Sequence, residues 1–143
     1  MCVYVGVIMA LNFRNKKEKK QRILLVDDEE LNRKLCERIM LKEGFAVAEA
    51  TNGMEAVELF KKSPVGHFDL IIMDIQMPVM GGYQATQIIR EMNRADAARI
   101  PIIALSANDT EEDIRLSHQY GMNDHMVKPF NIPKIVDVIK AYI

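Results

Sequence analysis

The sequence of 143 residues predicts a single α/β domain built around a parallel β-sheet. Three observations lead to this prediction. Short apolar runs alternate with segments that repeat at helical spacing, this alternation occurs five times, and the links between the segments are short. In addition, 49% of the residues are apolar and 27% are charged, which is the usual balance of a globular protein.

The first half of the chain contains two strand–helix repeats. Ile23–Val26 is a fully apolar run that ends at Asp27 and Asp28, a pattern typical of a buried central strand. The helix that follows is predicted from four apolar residues at helical spacing: Leu31, Leu35, Ile39 and Met40. Phe45–Ala50 is predicted to be the second strand. Asn52 is placed to cap the second helix, whose predicted apolar face is Met54, Val57, Leu59 and Phe60.

The second half contains three more repeats. Its strands are predicted to end at polar residues: Leu70–Met73 at Asp74, Ile100–Leu105 at Ser106 and Asp124–Val127 at Lys128. The third helix has its apolar positions at Ala85, Ile88, Ile89 and Met92. Asp109 or Thr110 is placed to cap the fourth helix, which runs to about Tyr120, and Ile132–Tyr142 is the final amphipathic helix.

Five strand–helix repeats with short links require a parallel sheet that is covered by helices on both faces. Right-handed crossovers leave few topologies for such a sheet, and we expect the flavodoxin-like strand order 2-1-3-4-5. Ligands of open parallel sheets bind beyond the carboxyl ends of the strands. In this sequence those ends carry five polar side chains from four strands: Asp27, Asp28, Asp74, Ser106 and Lys128.

These five side chains are predicted to form one site. A single Asp after a strand is often a turn residue or a helix cap, but five polar residues at one sheet edge are difficult to explain in that way. Clustered carboxylates repel one another unless a cation lies among them. Oxygen ligands favour Mg²⁺ or Mn²⁺, and the lack of His or Cys at ligand spacing argues against Zn²⁺. A carboxylate can also act as a nucleophile toward phosphorus.

Charge separates the start of the chain from the remainder. Residues 1–22 have a net charge of +5 and the other 121 residues a net charge of −6, so the acidic globular part is not expected to bind nucleic acid. We expect residues 1–21 to be an N-terminal extension and residues 22–143 to be the folded domain. The apolar run Met1–Phe13 precedes the positive charges, unlike a signal peptide, and is too short to span a bilayer. A peripheral anchor, part of an interdomain linker and a disordered tail remain as alternatives.

Four blocks of this sequence are similar to a known family. The chain resembles the receiver domains of two-component response regulators at ILLVDD (Ile23–Asp28), DIQMPVMGGYQAT (Asp74–Thr86), LSA (Leu105–Ala107) and KPF (Lys128–Phe130). The blocks have the order and spacing of that family, and the resemblance covers about residues 22–143. The segments VDDEELNRKL and MPVMGGYQAT are most similar to the receivers of hybrid histidine kinases and phosphorelays.

The resemblance implies a role for each site residue. Asp74 would be the phosphoacceptor, which takes a phosphoryl group from a phosphohistidine of a partner protein. Four groups would hold the metal: the side chains of Asp28 and Asp74, the backbone carbonyl of Gln76, and Asp27 through a water molecule. Three groups would bind the phosphoryl oxygens: the Ser106 hydroxyl, the backbone N–H of Ala107 and the Lys128 ammonium.

The resemblance also implies a conformational switch. Ser106 would move toward the phosphoryl group, and an aromatic ring three residues before the Lys would fill the vacated space. This movement would alter the face formed by the fourth helix, the fifth strand and the fifth helix. The switch position is His125 here rather than the commoner Tyr or Phe, and an ordinary surface His is the alternative. Gly81 replaces the usual Asp of the family, and we expect it to be a weaker helix N-cap that leaves the chemistry intact.

We therefore expect a phosphorylation-dependent signalling module that has no output domain in this chain and is not an enzyme beyond its own phosphorylation and dephosphorylation. Two alternatives belong to other classes: an interaction module that works without phosphorylation, and an aspartyl-phosphate hydrolase. Such hydrolases normally carry a second Asp two residues after the nucleophile, where this sequence has Gln76. A flavin-binding module of the same fold is disfavoured, because Asp27 and Asp28 would repel the flavin phosphate.

The expected partners are a sensor histidine kinase or a histidine phosphotransfer protein, and a downstream protein that binds the switching face. Neither nucleic acid binding nor a membrane span is expected. Cys2 and Cys36 form no disulfide framework, which favours a reducing compartment. We expect a cytoplasmic location, either as a stand-alone receiver or as part of a hybrid kinase.

Overall fold

Five strands alternate with five helices in the residues that the computed structural model describes, which are 19–128 and 132–143, with the backbone alone of 132 and 133. The strands are β1 (Arg22–Val26), β2 (Ala46–Ala50), β3 (Leu70–Asp74), β4 (Ile102–Ser106) and β5 (Asp124–Val127). The helices are α1 (Glu30–Lys42), α2 (Gly53–Lys62), α3 (Gly82–Arg90), α4 (Glu111–Gln119) and α5 (Ile132–Tyr142).

The strands form one parallel sheet in the order β2-β1-β3-β4-β5, which confirms the predicted flavodoxin-like topology. The register aligns the carboxyl ends of the strands. Val26 pairs with Met73, and Asp74 pairs with Leu105. Residues that follow β1 and β3 therefore start from adjacent positions at one edge of the sheet.

Continuous apolar runs in the central strands fill both faces of the sheet, because successive side chains of a strand point to opposite faces. On one face, Leu24 and Ile71 belong to a core with Phe60 of α2. On the other face, the core contains Met40 of α1 and Ile139 of α5. The free thiol of Cys36 is buried in this second core, as expected for a small core residue.

The helix caps agree with the prediction, whereas several element boundaries differ from it by one or more residues. Asn52 caps α2 as predicted, and Thr110 rather than Asp109 caps α4. β4 begins at Ile102 rather than Ile100, because Pro101 has no N–H to donate to the sheet. α3 ends at Arg90, so that Met92 packs against the core from the segment beyond the helix.

The apolar residues from which the first two helices were predicted are only partly buried. Leu31 of α1 is 82% exposed and Leu35 is 44% exposed, whereas Cys36 and Met40 are buried. Met54 at the start of α2 is likewise half exposed. Helical spacing identifies residues that share a side of a helix, but it does not determine which side packs on the sheet.

Arg94 makes a long-range contact that the sequence did not predict. Its guanidinium donates to the carbonyl oxygens of Phe60 at 2.6 Å, Ser63 at 3.0 Å and Pro64 at 3.1 Å. It also forms an ion pair with Asp96 at 2.6 Å and lies 4.3 Å from the centre of the Phe60 ring. One side chain from the segment after α3 therefore closes the C-terminal end of α2.

Several predictions fall outside the described residues. These are the expectations for residues 1–18 of the extension and for Pro129 and Phe130 of the KPF block. Across residues 19–128 and 132–143, every helix is too short or too polar to cross a membrane.

Candidate functional site

Three carboxylates meet at the carboxyl edge of the sheet. Asp27 and Asp28 follow β1, and Asp74 is the last residue of β3. One oxygen from each of the three lies within 4.8 Å of the other two. Asp27 is fully buried and Asp74 is 3% exposed, whereas Asp28 is open to solvent. The predicted convergence of these acids is therefore observed.

Asp27 is held by contacts on several sides. Its N–H donates to the carbonyl oxygen of Ala50 at 3.2 Å, and its Oδ1 accepts from the N–H of Glu29 at 3.0 Å. Its carbonyl oxygen accepts from Nη1 of Arg33 at 2.9 Å. The second carboxylate oxygen, Oδ2, is buried and accepts no hydrogen bond from the described part of the chain.

Lys128, directly after β5, bridges two of these acids. Its Nζ lies 3.0 Å from Oδ2 of Asp74 and 3.4 Å from the carboxylate of Asp27. The backbone N–H of Lys128 donates to the carbonyl oxygen of Ser106 at 2.8 Å, which fixes the start of the side chain. Burial lowers the pKa of Lys128, but Asp74 and Asp27 outweigh this effect and hold the pKa above its usual value. The lysine therefore remains a cation.

The surroundings of Asp74 oppose its ionisation. Burial raises the pKa of Asp74 to about 7, with further upward contributions from the charge of Asp27 and a hydrogen bond with Asp28. The ammonium of Lys128 acts in the opposite direction without restoring the ordinary value. The surroundings of Asp74 therefore favour its protonated form more than water does.

The residues at this edge fit a divalent cation. The donors are carboxylate oxygens, which Mg²⁺ and Mn²⁺ prefer, and no histidine or cysteine lies among the three grouped acids. Oδ2 of Asp27 is buried without a hydrogen bond, although the Lys128 ammonium lies 3.4 Å away, and such an atom normally also accepts from a protein group or a water, or binds an ion. Gln76 lies in the exposed loop directly beyond β3, two residues after Asp74.

Gly82 allows α3 to begin directly against the end of β3. Its N–H donates to the carbonyl oxygen of Ile75 at 2.9 Å. A Cβ at Gly82 would collide with the carbonyl oxygen of Asp74 and would lie 2.9 Å from Cγ of Met73. Gly81 is the N-cap of α3, as predicted, and supplies no side-chain hydrogen bond. A side chain at Gly82 would therefore have to displace the backbone of the candidate phosphoacceptor.

Ser106 and His125 belong to one chain of hydrogen bonds. Oγ of Ser106 accepts from the N–H of Asn108 at 3.1 Å, and the Asn108 carbonyl oxygen lies 2.8 Å from Nε2 of His125. Nδ1 of His125 lies 2.8 Å from Oγ of Ser117, which donates to the Asp113 carbonyl oxygen at 3.0 Å. Nε2 of His125 faces a carbonyl oxygen and therefore donates, whereas Nδ1 faces a hydroxyl that can either donate or accept.

Sequence reasoning missed Arg33 and expected Asn108 only to flank the site, yet both residues connect the site to the surrounding structure. Arg33 lies in α1 only six residues after Asp27, and that short separation was the available signal that it could reach back to the strand end. Asn108 lies two residues beyond Ser106, within reach of its hydroxyl. Ala107, the predicted backbone donor, lies between them and is exposed.

The chain is similar to known proteins over most of its length. The family model described as the response regulator receiver domain matches residues 23–140. The chain is 38% identical over 136 residues to hybrid signal transduction histidine kinase B of Dictyostelium discoideum, covering 88% of this chain but only 7% of that kinase. It is 31% identical to the polar-differentiation response regulator DivK of Brucella ovis, covering 85% of this chain and 94% of DivK.

Solved structures show the same fold. The receiver domain of a Pseudomonas aeruginosa sensor histidine kinase, with a magnesium ion coordinated in its active-site cleft, is 34% identical with a TM-score of 0.77, covering 87% of this chain and 98% of that one. The chemotaxis protein CheY4 of Vibrio cholerae is 26% identical with a TM-score of 0.80, covering 87% of this chain and all of that one. With its family match over residues 23–140 and its near full-length likeness to DivK, this chain belongs to the response regulator receiver domains of two-component signalling systems.

Proposed function

We propose that this receiver domain stores a signal as a phosphoryl group on Asp74. A carboxylate oxygen of Asp74 would attack the phosphorus of a phosphohistidine on a sensor kinase or a phosphotransfer protein. The new P–O bond forms as the P–N bond breaks, and the histidine leaves as a neutral ring after it takes up a proton. The observation that supports this role most directly is the Lys128 ammonium, 3.0 Å from Asp74 within the group of three carboxylates.

The other site residues neutralise and orient charge. The side chains of Asp27, Asp28 and Asp74 and the backbone carbonyl of Gln76 would hold Mg²⁺ or Mn²⁺. When bound, the cation offsets the negative charge of the carboxylates and of the phosphoryl oxygens. Lys128 would donate to one phosphoryl oxygen, and the Ser106 hydroxyl and the backbone N–H of Ala107 would donate to others.

The domain would store the phosphoryl group rather than turn over a separate substrate. Hydrolysis needs a group that takes a proton from water near the phosphorus, and the amide of Gln76 has no basic atom for that task. Asp74 would therefore be modified once per signal, with slow loss of the phosphoryl group. This behaviour distinguishes a receiver from an aspartyl-phosphate hydrolase.

Phosphorylation would be transmitted through Ser106 to the face formed by α4, β5 and α5. If the Ser106 hydroxyl turns toward a phosphoryl oxygen, the N–H of Asn108 loses its acceptor. The Asn108 carbonyl oxygen also faces the ring of His125, so a movement of the Asn108 backbone would alter the hydrogen bond to that ring. His125 would then leave Ser117 of α4, and a downstream protein would bind the altered face.

The setting of the domain follows from the same proposal. Residues 22–143 would form the receiver domain, and residues 1–21 an extension that phosphorylation does not require. A cytoplasmic location, as a stand-alone receiver or beside the kinase core of a hybrid kinase, would bring the domain to a phosphohistidine donor. Both arrangements occur among its relatives, since DivK is nearly all receiver and the Dictyostelium kinase is far longer.

Phosphorylation by acetyl phosphate with Mg²⁺ tests the site. We expect intact-mass analysis to show one phosphoryl group on the full chain and none on Asp74→Ala. Asp137→Asn, which changes an exposed acid on α5, should be phosphorylated like the unaltered chain.

Lys128→Ala should still bind Mg²⁺ but leave the His125 ring signals unmoved by beryllofluoride. Persistent modification of Asp74→Ala would refute the site, and an unaltered chain that accepts no phosphoryl group would favour the phosphorylation-independent module.

A further inference from the structure

Arg33 is a charged residue that the proposed phosphoryl chemistry does not use, although its side chain reaches the metal site. It lies in the first half of α1, and its side chain is only 11% exposed. An arginine on a surface helix normally extends its guanidinium into solvent. The burial of this one indicates that its head group has a specific task.

The guanidinium of Arg33 contacts the backbone on one side and an acid on the other. Nη1 donates to the carbonyl oxygen of Asp27 at 2.9 Å, and Nε lies 3.6 Å from Oε1 of Glu49 on β2. Glu49 is itself held by Lys34, whose Nζ lies 2.9 Å from its other oxygen. Glu49 therefore faces the far side of the guanidinium at ion-pair distance, without a hydrogen bond, while the near side is hydrogen-bonded to Asp27.

The carbonyl of Asp27 belongs to the peptide that joins Asp27 to Asp28. Because a peptide unit is planar, the direction of this carbonyl also sets the plane from which the Asp28 backbone departs. The N–H and the carboxylate of Asp27 are fixed separately by Ala50 and Glu29. Arg33 therefore holds the one remaining backbone group of Asp27, which is the group that orients the exposed Asp28.

We propose that Arg33, whose charge faces Glu49, is a positioning residue for the metal site: it fixes the Asp27–Asp28 peptide and so preorganises both carboxylates for a divalent cation. This role rests on the proposed function, because it assumes that these acids bind Mg²⁺. Arg33 touches no reacting atom. It acts on the metal through the ligands, as the outer-shell partners of metal sites do.

A positioning role for Arg33 and a purely electrostatic role predict opposite effects of its removal on Mg²⁺ affinity. A cation near an acidic site repels Mg²⁺, so removal of its charge alone would tighten Mg²⁺ binding. Loss of the hydrogen bond to the Asp27 carbonyl frees the peptide between the two acids and would weaken binding. Outer-shell substitutions cost about 10- to 100-fold in metal affinity, so we expect the positioning effect to exceed that of charge.

Mg²⁺ titration of the full chain by isothermal calorimetry tests this role without any activity measurement. We expect the Kd of Arg33→Met to be about tenfold weaker than that of the unaltered chain. Arg38→Met is the matched control, because it makes the same substitution at an exposed position of α1 and leaves Arg33, Glu49 and Asp27 unaltered. Its Kd should stay within about twofold of the unaltered chain, as for an exposed surface residue.

An Arg33→Met variant that binds Mg²⁺ as tightly as the unaltered chain, or more tightly, refutes the positioning role. If circular dichroism shows that Arg33→Met does not fold, Arg33→Lys decides the question, since it keeps the charge but loses the planar fork. Several-fold weaker binding of Mg²⁺ to Arg33→Lys is expected, and unchanged binding overturns the proposal. An unaltered chain that binds no Mg²⁺ would instead refute the proposed function itself.

Discussion

Replacement of Asp74 by Asn should stabilise the folded domain at pH 8 in the absence of Mg²⁺. Burial, the charge of Asp27 and a hydrogen bond with Asp28 raise the pKa of Asp74 to about 7 from an ordinary value of 3.8, against the opposing effect of Lys128. Since a tenfold change in acidity is about 1.4 kcal/mol, full ionisation disfavours folding by at most about 4 kcal/mol. Water penetration and side-chain relaxation reduce this value, and we expect a measured gain on the order of 2 kcal/mol.

The sign of the pH dependence follows from the raised pKa of Asp74. Folded Asp74 keeps its proton in the range between pH 3.8 and about 7, where the unfolded chain has lost it. The unaltered chain therefore loses stability as the pH rises through this range, and the loss is complete above about pH 7. Asn resembles the protonated acid at every pH. The advantage of Asp74→Asn should be largest at pH 8 and should shrink as the pH falls toward 5.

Urea unfolding followed by far-UV circular dichroism measures this difference in a chain that has no Trp. The experiment compares Asp74→Asn with the unaltered chain in a chelating buffer from pH 5 to pH 8. Asp137→Asn is the control for loss of an exposed acid and should change stability by less than about 0.5 kcal/mol. A variant no more stable than the unaltered chain at pH 8, or an advantage that does not change with pH, would refute this account of the site.

Two further substitutions test contacts that support the site and the fold. Gly82→Ala should destabilise the domain by about 3 kcal/mol in urea unfolding and slow phosphorylation by acetyl phosphate, because the new methyl group meets the carbonyl of Asp74. Gly81→Ala is the milder comparison, because a Cβ there would lie 3.0 Å from the carbonyl oxygen of Ile75, a tight contact rather than a collision. It should cost about 1 kcal/mol, and equal effects would contradict the steric explanation. Arg94→Lys should lower the free energy of unfolding by about 2 kcal/mol, because an ammonium cannot donate to all the carbonyls that the guanidinium reaches. A change below about 0.5 kcal/mol would show that solvent replaces these contacts.

The strand order and the location of the candidate site could be predicted because they depend on local patterns. Each central strand is an apolar run that stops at a polar residue, and parallel strands place such residues at one edge. Asp74 and Lys128 were identified from this rule alone, and they lie 3.0 Å apart although they are separated by 54 positions in the chain. Their chemical roles stay predictions, because position does not establish reactivity.

The contacts of long side chains could not be predicted from the sequence. Arg33 and Arg94 both have the local pattern of solvent-exposed charges, yet each donates to backbone carbonyls of another element. Which carbonyl oxygens these guanidinium groups reach depends on the distances between elements in the folded domain. Likewise, Leu31 and Met40 are both among the apolar residues from which α1 was predicted, but only the packing of the helix on the sheet decides that Met40 is buried and Leu31 is exposed.

The hydrogen-bonded series from Ser106 through Asn108 and His125 to Ser117 has a consequence for the timing of a signal. It crosses from the site to α4 without requiring the domain to bend or a strand to shift. The series passes through the backbone of Asn108, and both side-chain rotations and loop motions are generally quicker than domain hinge motions. A conformational change that follows this route would reach α4 soon after Asp74 is phosphorylated. The duration of the response would then be set by the survival of the acyl phosphate, and the domain would work as a timer.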